Sequence, residues 1–169
     1  MSKQTPPPQF PSFDQIVKGN VSIKKSKSSE DRYTITFSKI GKFLLYQVWD
    51  KDSVNLNKKR KVSYLSAKDW VKDFKKGNER LENGKPLFRP TTIMETEDDD
   101  IYAFVIHKAC LNSHGQVVFT VSTKEISIGN DTSSQKLMPN RQLPCRKLNN
   151  ARFDIDSTSC GKIFEFLCI

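Results

Sequence analysis

Apolar and polar residues alternate with a period of two along most of this chain, and the period lengthens to that of a helix over one stretch. Tyr33, Ile35 and Phe37 fall on one face of an extended segment and Thr34 and Thr36 on the other, which predicts a half-buried strand. Val21 and Ile23 alternate with Ser22 and Lys24 in the same way just before it. Residues 43–49 are apolar on both faces apart from Gln47, the pattern of a central strand. Gly41 supplies the turn between the last two, and the three pieces predict an antiparallel meander. Residues 62–65 add a short strand.

A helix is predicted over residues 67–76. Ser66 is suited to cap its first turn, Asp69 complements the positive end of its dipole, and Trp70, Val71 and Phe74 form one apolar stripe. Lys75 and Lys76 sit in the last turn and Gly77 closes it. A second, shorter helix is predicted over 13–18, where Ser12 and Gln15 have capping-box spacing and Gly19 offers a stop.

Further on, residues 91–96 are β-favourable and Glu97, Asp98, Asp99 and Asp100 make an acidic turn. The apolar run 101–109 and the segment 116–122, with Val117, Phe119 and Val121 facing one way, predict a hairpin. Residues 127–150 read as a long polar loop, 151–156 alternate again, and 163–169 read as a very apolar closing strand. Residues 1–11 are rich in proline and predict an extended arm. Seven or eight short strands against one well-marked helix predict a mainly β fold, an antiparallel sandwich or a partly closed barrel. Residues 1–18 then form the arm with its short helix, and residues 19–169 form a single β-rich domain.

Composition sharpens that picture. The chain has 169 residues, 36% of them apolar and 28% charged, and its 11 Phe, 4 Tyr and 2 Trp predict a modest but aromatic core. No run reaches the roughly 18 apolar residues of a membrane span, and the start of the chain lacks a continuous apolar stretch. The expectation is therefore an intracellular, cytoplasmic protein.

Charge is unevenly spread. Residues 1–90 hold 20 Lys/Arg and 9 Asp/Glu, a net of +11, whereas residues 91–169 hold 8 and 10, a net of −2. Lys24, Lys25 and Lys27 form one basic run and Lys58, Lys59, Arg60 and Lys61 another. Brought to one side they make a basic patch for a protein partner, a nucleic acid or another polyanion, with Tyr33 and Tyr46 as stacking surfaces. The second run also resembles a nuclear localisation signal. The competing reading is a solvated lysine face with both tyrosines in the core.

Catalytic and metal-binding patterns are weak. Cys110, Cys145, Cys160 and Cys168 lack C-x-x-C spacing and read as buried free thiols, with a disulfide from Cys145 to Cys160 or Cys168 as the runner-up. His107, on a strand with Ile101, Ala103 and Val105, and His114, in a turn, are the only histidines. His107 and Cys110 are three residues apart, which places them on opposite faces of a regular strand. The acidic turn 97–100 lacks the spacing of a calcium loop, and Asp154 and Asp156 read as solubilising carboxylates on an exterior face. We therefore expect no catalytic residues, no metal and no cofactor. The leading expectation is a non-enzymatic structural or adaptor subunit of a larger assembly, on the strength of the arm, the apolar end, the long loop and the opposed charge of the two halves. Nucleic-acid binding through the basic first half is the second, and a carboxylate-dependent hydrolase the third.

Overall fold

The computed structural model describes residues 12–49, 62–79, 81–82, 85–86, 90–123 and 142–157. Ten strands and one helix run in the order β1 (Ser12–Lys25), β2 (Arg32–Ile40), β3 (Phe43–Trp49), β4 (Val62–Leu65), α1 (Ala67–Glu79), β5 (Leu81–Glu82), β6 (Lys85–Pro86), β7 (Thr91–Glu95), β8 (Ile101–Leu111), β9 (Val117–Ser122) and β10 (Lys147–Ser157). Six of them close an antiparallel barrel in the order β1-β2-β9-β8-β7-β10, with β10 pairing back onto β1. Strands β3 and β4 extend the sheet outward from β1, and β5 and β6 form a separate two-stranded ribbon.

The alternation read from the sequence fills this barrel. Tyr33, Ile35 and Phe37 on β2, Val117, Phe119 and Val121 on β9, and Ala151, Phe153 and Ile155 on β10 are all buried. Four phenylalanines meet at the centre. Phe37 lies 5.1 Å from Phe119 and 5.0 Å from Phe153 between ring centroids, and Phe153 lies 6.1 Å from Phe104. Tilted and edge-on contacts of this kind set the positive ring edge against a negative face. Helix α1 adds its apolar stripe to the same core, since Trp70, Val71 and Phe74 are buried. The Trp70 ring stacks on Phe43 at 4.5 Å and reaches Phe119 at 5.5 Å. Its indole N–H donates to the Gln15 Oε1, which gives a fully buried pair of polar groups one another as partners. The helix start follows its sequence signal, with the Ser66 hydroxyl accepting from the Asp69 N–H at 3.2 Å. The helix continues past Gly77 to Glu79.

Three expectations are corrected. Residues 13–18 are the first half of β1 and not a short helix. Gln15, Val17, Gly19, Val21 and Ile23 alternate inward, and the segment pairs with β3 on one side and β10 on the other. Two flanking strands satisfy backbone groups that an isolated single helical turn would leave open. The loop expected up to residue 150 ends early, because β10 begins at Lys147. The strand over 101–109 is irregular, because β8 pairs Ile106 with Val121 and Lys108 with Thr120 and so bulges at His107. The bulge moves the inward face from Tyr102, Phe104 and Ile106 to Ala109, so spacing along the strand no longer decides which side His107 and Cys110 share. The proline-rich arm, residues 124–141 of the long loop and the apolar end over 163–169 lie outside the described residues.

Strand β1 carries the main bend. Over Ser12–Ile16 its edge pairs with β3, and from Gly19 onward the same edge pairs with β2. The change of partner occurs at a bulge around Asn20, whose side chain accepts the Asn150 N–H at 2.9 Å. The Asn150 amide in turn donates to Glu97 at 2.6 Å, which ties the acidic turn to β10. That turn is closed by Thr96, whose hydroxyl accepts from the Asp100 N–H at 3.2 Å, with Asp99 at φ 62°.

Candidate interaction surfaces

With the inward set committed to the core, the outward set is what the described strands turn away from it. Outward residues of neighbouring strands stand opposite one another in rows about 4.8 Å apart. Two such rows differ sharply in character.

The first row runs Tyr64 on β4, Leu44 on β3, Ile16 on β1, Asp154 on β10, Ile93 on β7 and Ala103 on β8, each residue the register partner of the next. Tyr64 is 68% exposed, Ala103 is buried, and the four between them are partly exposed. The apolar line is broken by one carboxylate. Its flanks carry opposite charge. Lys18 and Arg152 are paired on one side of the row, where Glu95 on β7 also faces Arg152, and Asp14 and Asp156 are paired on the other. Burial among these apolar neighbours pushes the Asp154 carboxyl above its ordinary value of 3.8, Arg152 pulls it back down and Asp156 adds to the rise. The native state therefore binds the proton more tightly than the unfolded chain. Stability from this group is greatest at acid pH and is lost as pH rises through the raised value. Asp154→Asn is accordingly expected to raise the melting temperature at pH 7, and the gap to wild type should close near pH 3. Thermal unfolding across that range checks it, and a gap independent of pH would contradict it.

The second row runs Lys24 on β1, Thr34 on β2, Thr120 on β9 and Lys108 on β8. Beside it Lys147 on β10 faces Ser22 on β1, and Ser22 faces Thr36 on β2. Lys24, Lys108 and Lys147 are exposed. Exposed Lys25, Lys27 and Arg32 lie at the same end of the β1–β2 hairpin, and the Arg146 carbonyl accepts from the Ile23 N–H at 3.2 Å, which brings Arg146 to it.

Lys24, Lys25 and Lys27 are exposed together, whereas Lys58, Lys59, Arg60 and Lys61 lie outside the described residues. Tyr33 is buried and offers no stacking surface. Lys108, Arg146 and Lys147 were not singled out from the sequence. Lys108 stands in an apolar run and the other two stand in a stretch read as loop, so only the register reveals them.

The remaining chemistry-bearing residues are scattered. Cys110 is a half-buried free thiol and Cys145 an exposed one, not buried as expected, because Cys145 lies in the irregular stretch ahead of β10. Cys160 and Cys168 lie outside the described residues. His114 sits in the β8–β9 turn, where its N–H donates to Asn112 at 3.0 Å. Among the described residues no cluster of His, Cys, Asp and Glu gathers at metal-binding distance, and no helix is long and apolar enough to cross a membrane. No protein-family model, no curated protein and no solved structure matches this chain.

Proposed function

We propose that the chain is a non-enzymatic structural subunit that works by binding protein, and that its first partner is a second copy of itself seated on the row from Tyr64 to Ile93. The observation that carries this reading is the charge arrangement about that row. A two-fold axis laid along the row turns the basic flank of one copy over the acidic flank of the other. Arg152 then meets Asp156, and Lys18 meets Asp14, each pair occurring twice, as an isologous interface requires. Leu44, Ile16 and Ile93 supply the apolar centre, and Tyr64 an exposed aromatic of the kind that anchors interfaces. Four strand spacings give the row from Tyr64 to Ile93 a length of about 19 Å around the barrel, a width suited to an interface of ordinary size. The same axis sets Asp154 against its own copy, and a carboxyl pushed toward its neutral form suits that position.

Size-exclusion chromatography with light scattering tests the proposal. The expected mass is twice the 19.4 kDa of the chain at micromolar concentration. Ile93→Lys is expected to weaken the dimer by about tenfold or more, from loss of apolar burial and an unpaired charge. Arg152→Asp should weaken it as well, and adding Asp156→Arg should restore it, since the pair is only reversed. A chain that stays monomeric at about 100 µM, or a double variant no better than the single, overturns the reading.

A further inference from the structure

The face opposite in character, built on β1, β2, β8 and β9, has no role in that dimer. We infer that it is a binding site for the phosphate backbone of a nucleic-acid duplex. Three features carry the inference. Ammonium groups stand at both ends of a four-strand row, Lys24 and Lys108, about 14 Å apart across three strand spacings. Between them lie hydroxyls, Thr34 and Thr120, with Ser22 and Thr36 in the next row. Hydroxyls donate to phosphate oxygens without adding charge, and lysines release the counterions that condense on a duplex. Lys147, facing Ser22, and Arg146 extend the basic edge along β10.

The side chains of this face also decide the form of the polyanion. They are hydroxyls, ammoniums, Val118 and Cys110, and the buried Tyr33 takes its ring into the barrel. A single strand is held largely by stacking its bases on exposed rings, whereas a duplex turns its phosphates outward and its bases inward. Hydroxyls and lysines match the second. The carboxylates described on the same hairpin are Asp14, at the far end of β1, and Glu30 and Asp31, in the turn, and none of them stands in either row. Binding through these contacts reads no base edge and is independent of sequence.

Fluorescence anisotropy with a labelled DNA duplex of about 24 base pairs tests the site, titrated over a range of salt. Five contacts, from Lys24, Arg32, Lys108, Arg146 and Lys147, predict that log affinity falls with log salt at a slope of about −4.5. Lys24→Glu, Lys108→Glu and Lys147→Glu together should cut the slope to about −1.8 and the affinity at low salt by well over tenfold. The control is an equal change of net charge elsewhere, Lys68→Glu, Lys72→Glu and Lys75→Glu on the exposed side of α1, which should leave the slope near that of wild type. Should the glutamate triple melt early, Lys→Gln at the same three positions removes the contacts without adding negative charge, and the same slope is read. A duplex preference over a single strand of equal length, with the slope lost only in the face variants, establishes the site. Equal loss in both triples, tighter binding of the single strand, or no binding at low salt overturns it.

Discussion

Phe153→Ala is expected to cost about 3–5 kcal/mol of unfolding free energy, the range for deleting a fully buried aromatic ring. Phe153 is completely buried on β10. Its ring contacts Phe37 at 5.0 Å, Phe104 at 6.1 Å and Phe119 at 6.2 Å, so three other strands lose a neighbour together. A closed barrel cannot collapse around the resulting void, because each strand is held by hydrogen bonds on both edges and strand separation is set by those bonds. A domain of this size is stable by only about 5–15 kcal/mol, so the variant sits near the edge of folding. Urea unfolding should show the midpoint falling with an unchanged slope. Phe153→Leu refills most of the volume and should cost much less. A loss of under about 1 kcal/mol in Phe153→Ala would mean that the four rings are not packed as described.

Gly19→Ala is the second large effect, for a different reason. An added Cβ would overlap the Lys39 carbonyl oxygen and stand 2.7 Å from the Phe37 ring. The first obstacle is backbone of the paired strand β2 and cannot swing aside. The ring is locked in the central phenylalanine cluster. Gly19 is where β1 leaves β3 for β2, so the strands cross there at a separation that only hydrogen allows. Overpacking of this kind costs about 1–3 kcal/mol, with Gly19→Val above that range. Two other glycines calibrate the result. Gly41→Ala meets only the Lys18 carbonyl at 3.4 Å and should be close to neutral. Gly115→Ala has open space around it but a φ of +73°, and should cost about 1–2 kcal/mol from backbone strain alone. Melting curves of the three variants separate crowding from strain, and an alanine at position 19 that costs no more than one at 41 would refute the tight crossing.

If both binding faces hold, they are separate on the barrel wall. The dimer row uses the outer faces of β4, β3, β1, β10 and β7, and the basic face uses those of β1, β2, β9 and β8 with the start of β10. Strands β1 and β10 serve both, with Ile16 and Asp154 in the dimer row and Ser22, Lys24 and Lys147 on the basic face. A dimer would then present two basic faces, and duplex binding would strengthen through the linkage of the two sites.

Much of the barrel was legible from the chain alone. Inward residues follow period two because side chains of a strand alternate between faces, so Tyr33, Ile35 and Phe37 or Val117, Phe119 and Val121 declare their side without reference to any partner. The helix cap at Ser66 and the β8–β9 turn are likewise set by residues within a few positions of one another. The first half of β1 departs from its local pattern for the same reason in reverse. Its capping-box spacing is a local signal, and it yields because strands β3 and β10, distant in sequence, satisfy its backbone on both edges. Closure of the barrel, the bulges at Asn20 and His107, and the composition of both outer rows were decided by tertiary structure alone. Register joins residues such as Lys24 and Lys108, or Ile16 and Asp154, that are more than 80 positions apart. One chain can declare which of its residues face outward, but which outward residues stand side by side depends on hydrogen bonds between strands that no local pattern encodes.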